Sequence, residues 1–526
     1  MVDAPAELDA PAEHDRGPVD AGDALGARAQ RGRRRAQRST AAIAHRIENR
    51  KRYGGSACLF FPAGAGQSIF SASATPETYR QERLEPTAMS TTTLGTPGHA
   101  APSQSEGAAD AVYRKVAWRL MPLLFLCYIA AYLDRVNVGF AKLGMQNDLQ
   151  LSDSIYGLGA GIFFIGYFIF EVPSNIILHK VGAGRWIARI MVSWAVISAA
   201  TMFVNSVASF YVARFLLGIA EAGFFPGIIL YLTYWFPAER RGRATSLFMT
   251  AIAFASIIGG PISGWILHSM GGVNGWKGWQ WLFLLEAIPS LVLGAVAWFY
   301  LEDRVKDAQW LTPAERELIA RDILAEESHR SDAPLSKVLA NPKMWISALV
   351  YFGIAAGLYG VSFWLPTIIQ AMGVKDPLDI GLISAIPWSF GVVAMYLIAR
   401  SADRRREARW HTAVMCIVGA IGLVISVTAS GHVTVAMTGL TLCTIGIMSA
   451  LPVSWSTPTS ILGGAAAAAG IAMINSIGNL AGFLIPYVIG AIKDRTHSTD
   501  LGLYMLAAVM VIGGLAELAL PKRGTH

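Results

Sequence analysis

Residues Arg119–Ala141 read RLMPLLFLCYIAAYLDRVNVGFA. The run is apolar as far as Leu133, meets Asp134 and Arg135, and then turns apolar and small again. Roughly 20 such residues in a helix can cross a bilayer. A charge near the centre of such a helix costs on the order of 2.5–3.5 kcal/mol on insertion scales. Neighbouring helical residues point about 100° apart, so Asp134 and Arg135 cannot neutralise each other well. Each needs a partner elsewhere in the chain.

The rest of the chain is built from similar stretches. Of 526 residues, 53% are hydrophobic and only 15% charged, and the mean hydropathy is +0.44. Soluble domains carry about 25% charged residues, so the composition is that of an integral membrane protein. The apolar segments are Trp118–Ala141, Ser154–Leu178, Ile187–Val204, Ala208–Trp235, Ala244–Met270 and Trp279–Leu301, then Met344–Met372, Leu378–Arg400, His411–Ala429, Val433–Val453, Ala465–Ile492 and Leu501–Leu520. Each is long enough to cross. The expected fold is an all-α membrane protein of twelve transmembrane helices in two six-helix halves, 113–301 and 343–521, joined by a polar connector over 302–342. Residues 1–112 form an extension without helical or strand periodicity, and 522–526 a short tail. Met89 opens a polar lead into the first span, so translation is expected to start there and residues 1–88 to be absent.

The net charge of +7 is a matter of topology rather than of nucleic-acid binding. Lys180, Arg185, Arg240, Arg241, Arg243, Arg404, Arg405, Arg406 and Arg409 flank the ends of even-numbered spans, and Arg114, Lys115 and Arg119 precede the first. The opposite loops carry Lys142, Lys277, Lys375, Lys493 and Arg495. By the positive-inside rule both termini are cytoplasmic. The basic run Arg31–Arg38 reads as solvated tail. Cys58, Cys127, Cys416 and Cys443 have neither disulfide nor metal spacing. There is no GxxxxGK[ST] phosphate loop and no HExxH. GLGAGIFFIG (Gly157–Gly166) lies inside an apolar span, where close helix packing is the reading. No cofactor is expected, and no ATP-driven cycle is indicated.

Charges inside spans are functional hypotheses by default. The first half holds Asp134, Arg135, Glu171, Arg214, Glu221 and Glu286, and the second half almost none away from helix ends. Glu171 and Glu286 are read as structural. Arg214 and Glu221 are two turns apart on one face, about 10 Å at 1.5 Å per residue. Counting rise from the two ends puts Asp134 and Arg214 at nearly the same height, so an Asp134–Arg214 pair is expected, leaving Arg135 free. A free buried guanidinium suits a carboxylate, which it holds by two parallel hydrogen bonds. A midplane Glu221 without an adjacent cation is suited to load and release a proton, because desolvation penalises its charge. The alternative is a static ion-pair network that only locks the bundle. The second half offers Tyr351, Tyr359, Ser454, Trp455, Ser456, Asn475 and Asn479. Asn475 and Asn479 share a helix face and either meet substrate hydroxyls or join helices.

YLDRVNVGFA (Tyr132–Ala141), Gly157–Arg189, Arg214–Ala244 and the SADRR turn (Ser401–Arg405) together resemble the major facilitator superfamily, and within it the anion:cation symporter family of bacterial tartrate, phthalate and 4-hydroxyphenylacetate permeases. The resemblance covers about residues 113–521. It implies Asp134 and Glu221 as proton-coupling residues with Arg214, and Arg135 as the residue meeting the substrate carboxylate. It further implies Tyr132, Tyr167, Trp455 and Asn475 as cavity residues, with Asn479 joining them as the neighbour of Asn475 on its helix face, and Arg185, Asp403 and Arg404 at an inner gate. The first-half loop signature is partial, with His179 near the usual aspartate. The expectation is a monomeric inner-membrane importer of a small organic anion with protons, in a lipid bilayer. Sodium coupling or exchange is a rival mechanism; a polytopic membrane enzyme is a rival class, for which no catalytic motif is found.

Overall fold

The computed structural model describes residues 104–327, 339–429, 432–461 and 464–521. The N-terminal extension before residue 104, with Met89 and the basic run, lies outside the described residues, as do 328–338 of the connector and the tail. Twelve helices are long and apolar enough to cross a membrane. They are α1 Gly107–Asp148, α2 Asp153–Val181, α3 Ala183–Phe203, α4 Val207–Thr233, α5 Ala238–Ser269 and α6 Gly278–Tyr300, followed by α7 Pro342–Ala371, α8 Pro377–Arg405, α9 Arg409–Thr428, α10 Val433–Pro458, α11 Gly470–Thr496 and α12 Asp500–Leu518. Large apolar side chains such as Phe299, Val393 and Leu397 remain on the outside of the bundle, where a bilayer would cover them.

Several spans overrun their apolar segments. α1 begins eleven residues before Trp118 because its polar first turns dock on a helix of the connector, Pro313–Glu327. Lys115 Nζ lies 2.8 Å from Glu315 Oε2, and the Tyr113 hydroxyl donates to Asp322 at 3.0 Å. Lys115 and the Thr312 backbone hold the Glu315 carboxyl below its usual range. Glu326 caps α5 by accepting from the Ala238 amide at 2.8 Å and pairs with Arg241. The connector helix is thereby tied to the first half.

Each half packs as its own bundle, and the halves meet along α2 with α11 and α5 with α8. Both approaches are backbone on backbone. A Cβ at Gly157 would lie 2.2 Å from the Pro486 carbonyl oxygen, and one at Gly381 would lie 2.2 Å from that of Gly260. One end of the α2–α11 seam is latched. Asp153 Oδ1 meets Lys142 Nζ at 2.6 Å and Lys493 Nζ at 3.2 Å. The Asp494 carboxylate accepts from the first amides of α2, Asp153 at 2.8 Å and Ser154 at 2.9 Å, where helix N-termini favour an anion. The Lys142 ammonium sits 3.9 Å over the Trp364 ring and is 1% exposed. The latch therefore joins α1, α2, α7 and α11.

Gly381→Ala is expected to destabilise the protein by about 1–3 kcal/mol, the usual cost of overpacking, and to lower the thermal midpoint in detergent. An unchanged midpoint would mean that α5 and α8 do not approach this closely.

Candidate functional site

One helix break shapes the centre. α1 runs on through Asn137, two residues after Arg135, with helical φ/ψ of −58° and −26° and the Asn137 amide bonded to the Leu133 carbonyl at 2.9 Å. α4 is interrupted after Glu221, where Gly223 takes φ +85°. A side chain at Gly223 would be strained by that angle and would also meet Ser174 Oγ at 2.4 Å, so only glycine turns the chain here. The break leaves Glu221 at a helix end, facing Arg135 on α1.

Arg135 Nη2 pairs with Glu221 Oε1. Arg135 Nη1 donates to the Tyr359 hydroxyl at 3.4 Å, and the guanidinium lies 5.5 Å from the ring centres of Phe163 and Tyr167. Arg135 is 6% exposed and Glu221 fully buried. Arg135 Nε and Glu221 Oε2 have no partner among the described residues. The pair thus keeps both a donor and an acceptor uncommitted.

Asp134 is held differently. Its oxygens accept from Ser198 Oγ at 2.7 Å, Ser290 Oγ at 2.6 Å and Trp194 Nε1 at 3.1 Å. Arg214 reaches the Arg135 and Ala160 carbonyls at 3.4 and 3.5 Å, with its guanidinium 5.3 Å from the Phe163 ring. The expected Asp134–Arg214 pair, the free Arg135 and the cation-free Glu221 are all corrected by these contacts. The height argument holds, since Arg214 does reach the level of residue 135. It carries no azimuth, however, and Asp134 faces α3 and α6 while Arg135 faces α4. Helical side chains also lean toward their own N-terminus. Arg135 on α1 and Glu221 on the oppositely running α4 therefore lean toward each other.

Arg135 lines a cavity of about 30 Å3 with Tyr128, Tyr132, Tyr167, Tyr351, Tyr359, Asn475 and Asn479. Tyr359 donates to Asn479 Oδ1 at 3.0 Å and Tyr351 to Asn475 Oδ1 at 3.4 Å, so both asparagines join helices and face the cavity. Tyr132 shares a hydrogen bond with Ser362 at 3.2 Å, and Trp455 packs 4.8 Å from the Tyr351 ring. Glu171 bridges the halves, accepting from Asn475 Nδ2 at 3.3 Å and Ser476 Oγ at 2.9 Å. Tyr128 and the three donors around Asp134 were not singled out in the sequence: a tyrosine or serine on an apolar helix gives no signal until its face is known. Arg185 is not brought to Asp403 or Arg404. It lies 3.7 Å from Asp303 at the start of the connector, while Asp403 and Arg404 are exposed on the last turn of α8. Asp303 also accepts from the Gly184 amide at 2.9 Å, supplying the anion that the partial loop signature lacks.

Removing one member of a buried ion pair costs about 3–5 kcal/mol, whereas replacing both by apolar groups is often neutral. Glu221→Leu alone is therefore expected to lower the thermal midpoint more than the Arg135→Met/Glu221→Leu double substitution. Additive losses would show that the two charges do not interact.

Residues 124–486 match the Major Facilitator Superfamily. A protein of Agrobacterium vitis named as a tartrate transporter is 49% identical over 413 residues, 78% of this chain and 91% of the relative. NicT of Pseudomonas putida, named as a metabolite transport protein, is 45% identical over 423 residues, 80% of this chain and 97% of the relative. The inward-open structure of the xylose transporter XylE of Escherichia coli shares the fold, with a TM-score of 0.63 at 15% identity, covering 78% of this chain and 97% of that one. The chain belongs to the Major Facilitator Superfamily and is a multi-pass membrane transporter, not an enzyme.

Proposed function

We propose that this transporter imports a small organic carboxylate together with protons across a bacterial inner membrane, as a monomer with both termini cytoplasmic. The observation that carries the reading is the buried Arg135, whose anionic partner is a glutamate and whose other neighbours are tyrosines and asparagines of both halves. A carboxylate and Glu221 compete for one guanidinium. Protonation of Glu221 releases Arg135 to the incoming anion, and loss of the proton restores the internal pair and expels the anion. Binding of proton and anion then depends on one another without any contact between them. Tartrate-like acids are favoured by the name of the Agrobacterium relative. Tyr359, Asn475 and Asn479 offer hydrogen bonds to hydroxyl groups, and the tyrosines with Trp455 leave aromatic acids as the second substrate class.

The cavity in this conformation is about 30 Å3, against roughly 300 Å3 or more for ordinary small-molecule sites. Substrate entry therefore requires the halves to part. With the latch at the outer face, the conformation is one closed to the outside. Arg185, Asp403 and Arg404 then lie at the inner rim, where they would approach one another only when that end closes. A ligand shifts such an equilibrium only through its differential affinity for the two states. The Arg135–Glu221 pair is the element whose occupancy can differ between them.

Cells producing residues 89–526 are expected to take up one acid from a panel of labelled tartrate, phthalate, 4-hydroxyphenylacetate and galactonate, and a protonophore should collapse that uptake. Uptake that survives the protonophore would point to sodium coupling or exchange instead. Arg135→Ala should abolish binding. Glu221→Gln should bind but fail to accumulate, and normal accumulation by that variant would refute its coupling role.

A further inference from the structure

We propose that Glu286 is a second proton-carrying acid of the transport cycle, loaded through a small cavity in the α5–α8 seam that is separate from the Arg135 cavity. The inference rests on the proton-coupled reading above. The second cavity is also about 30 Å3 and is walled by α1, α5, α7 and α8. On the order of 10–15 Å3 accommodates one water, so it has room for two. Its wall includes Asn137 and Ser263, with Ser256 and Ser384 nearby. Asn137 of α1 is 1% exposed, and neither its Oδ1 nor its Nδ2 makes a hydrogen bond of normal geometry. Its amide faces the Glu286 carboxyl, and a buried amide with unmet hydrogen-bonding capacity suits a site for water.

Glu286 lies directly behind this wall and is 4% exposed. Ser263 Oγ donates to its Oε1 at 2.6 Å, and its Oε2 has no partner among the described residues. Structural carboxylates at this depth are ordinarily paired with a cation. The groups acting on Glu286 are instead Ser263 of α5, with Asp134 and Asn137 of α1, and no lysine or arginine pairs with it among the described residues. On α6, Glu286 is one turn from Ser290, which donates to Asp134. On α1, Asn137 follows Asp134 by three residues. The two acids are therefore stacked along the α1–α6 contact, about 6 Å apart in height, with no guanidinium between them.

The transfer needs one hydroxyl. A hydronium in the cavity gives a proton to Ser263 Oγ as Ser263 passes its own hydroxyl proton to Oε1. One O–H bond forms on the serine as another breaks, and the carboxylate becomes the neutral acid. Access follows the conformational cycle. The cavity wall contains Gly260 of α5 and Ser384 of α8, and Gly260 belongs to the backbone contact with Gly381 that closes the seam. Parting α5 from α8 exposes Ser263 and Asn137, and closing them seals the loaded acid inside.

The test uses the full chain in proteoliposomes with the four labelled acids. Accumulation is driven by an imposed gradient of one pH unit, and counterflow exchange is measured without a gradient. Glu286→Gln keeps the hydrogen bond to Ser263 but cannot carry the proton. It is expected to retain counterflow while its accumulation ratio falls about tenfold, the loss of one coupled proton at one pH unit. Ser263→Ala should reach the wild-type plateau more slowly. Wild-type accumulation by Glu286→Gln would overturn the inference, and so would loss of its counterflow, which would assign Glu286 to packing. A wild-type protein that exchanges an acid but ignores the pH gradient would overturn the proton-coupled reading itself, and this inference with it.

Discussion

The structure turns on one buried ion pair, Arg135 with Glu221. Neither charge is near bulk water, and the desolvation of each amounts to several kcal/mol. Nothing in helix packing requires such a pair, because apolar residues of similar size would hold α1 to α4 as well. The chain interrupts α4 beside it, at a glycine that admits no side chain. The pair leaves one guanidinium nitrogen and one carboxylate oxygen unmatched. An arrangement costly to bury and incompletely satisfied is one that an added anion or proton can easily displace.

Around that pair the two halves contribute unequal chemistry. The first half supplies the charges, and the second supplies tyrosine hydroxyls and asparagine amides that reach across to them. Tyr359 touches both Arg135 and Asn479, and Asn475 touches both Tyr351 and Glu171. Any separation of the halves must break the Arg135–Tyr359 and Glu171–Asn475 contacts, the two of these that cross between halves. At the latched end the contacts are ionic and centred on Asp153, while both seams bring backbone against backbone and the α5–α8 seam adds a contact of His268 with Asp376.

Much of this was legible in the sequence. Span lengths and polar breaks gave all twelve helices within several residues at most ends, because bilayer thickness constrains length strongly. The exceptions are instructive. α1 and α5 run longer than their apolar segments because Glu315, Asp322 and Glu326 of the connector hold their polar first turns. Charge inventory picked out Asp134, Arg135, Arg214 and Glu221 as the central residues, and rise per residue gave their heights. Pairing failed because it depends on which way each helix is rotated, and apolar spans surrounded by lipid and protein carry little periodic signal of rotation. The serines and tryptophan that hold Asp134 were invisible for the same reason. Glu286 was read as structural from its depth alone; its environment of serine and unmet amide only exists once α1, α5 and α6 are placed together.

The most direct test of the account is proton uptake on substrate binding by purified protein in weakly buffered detergent, comparing wild type with Glu221→Gln at a pH where the acid itself is fully ionised. If anion and Glu221 compete for Arg135, wild-type protein will take up protons as the anion binds and will bind more tightly as pH falls, and Glu221→Gln will bind with less proton uptake and a flatter pH dependence. Proton uptake by Glu221→Gln equal to that of wild type would contradict the competition at Arg135.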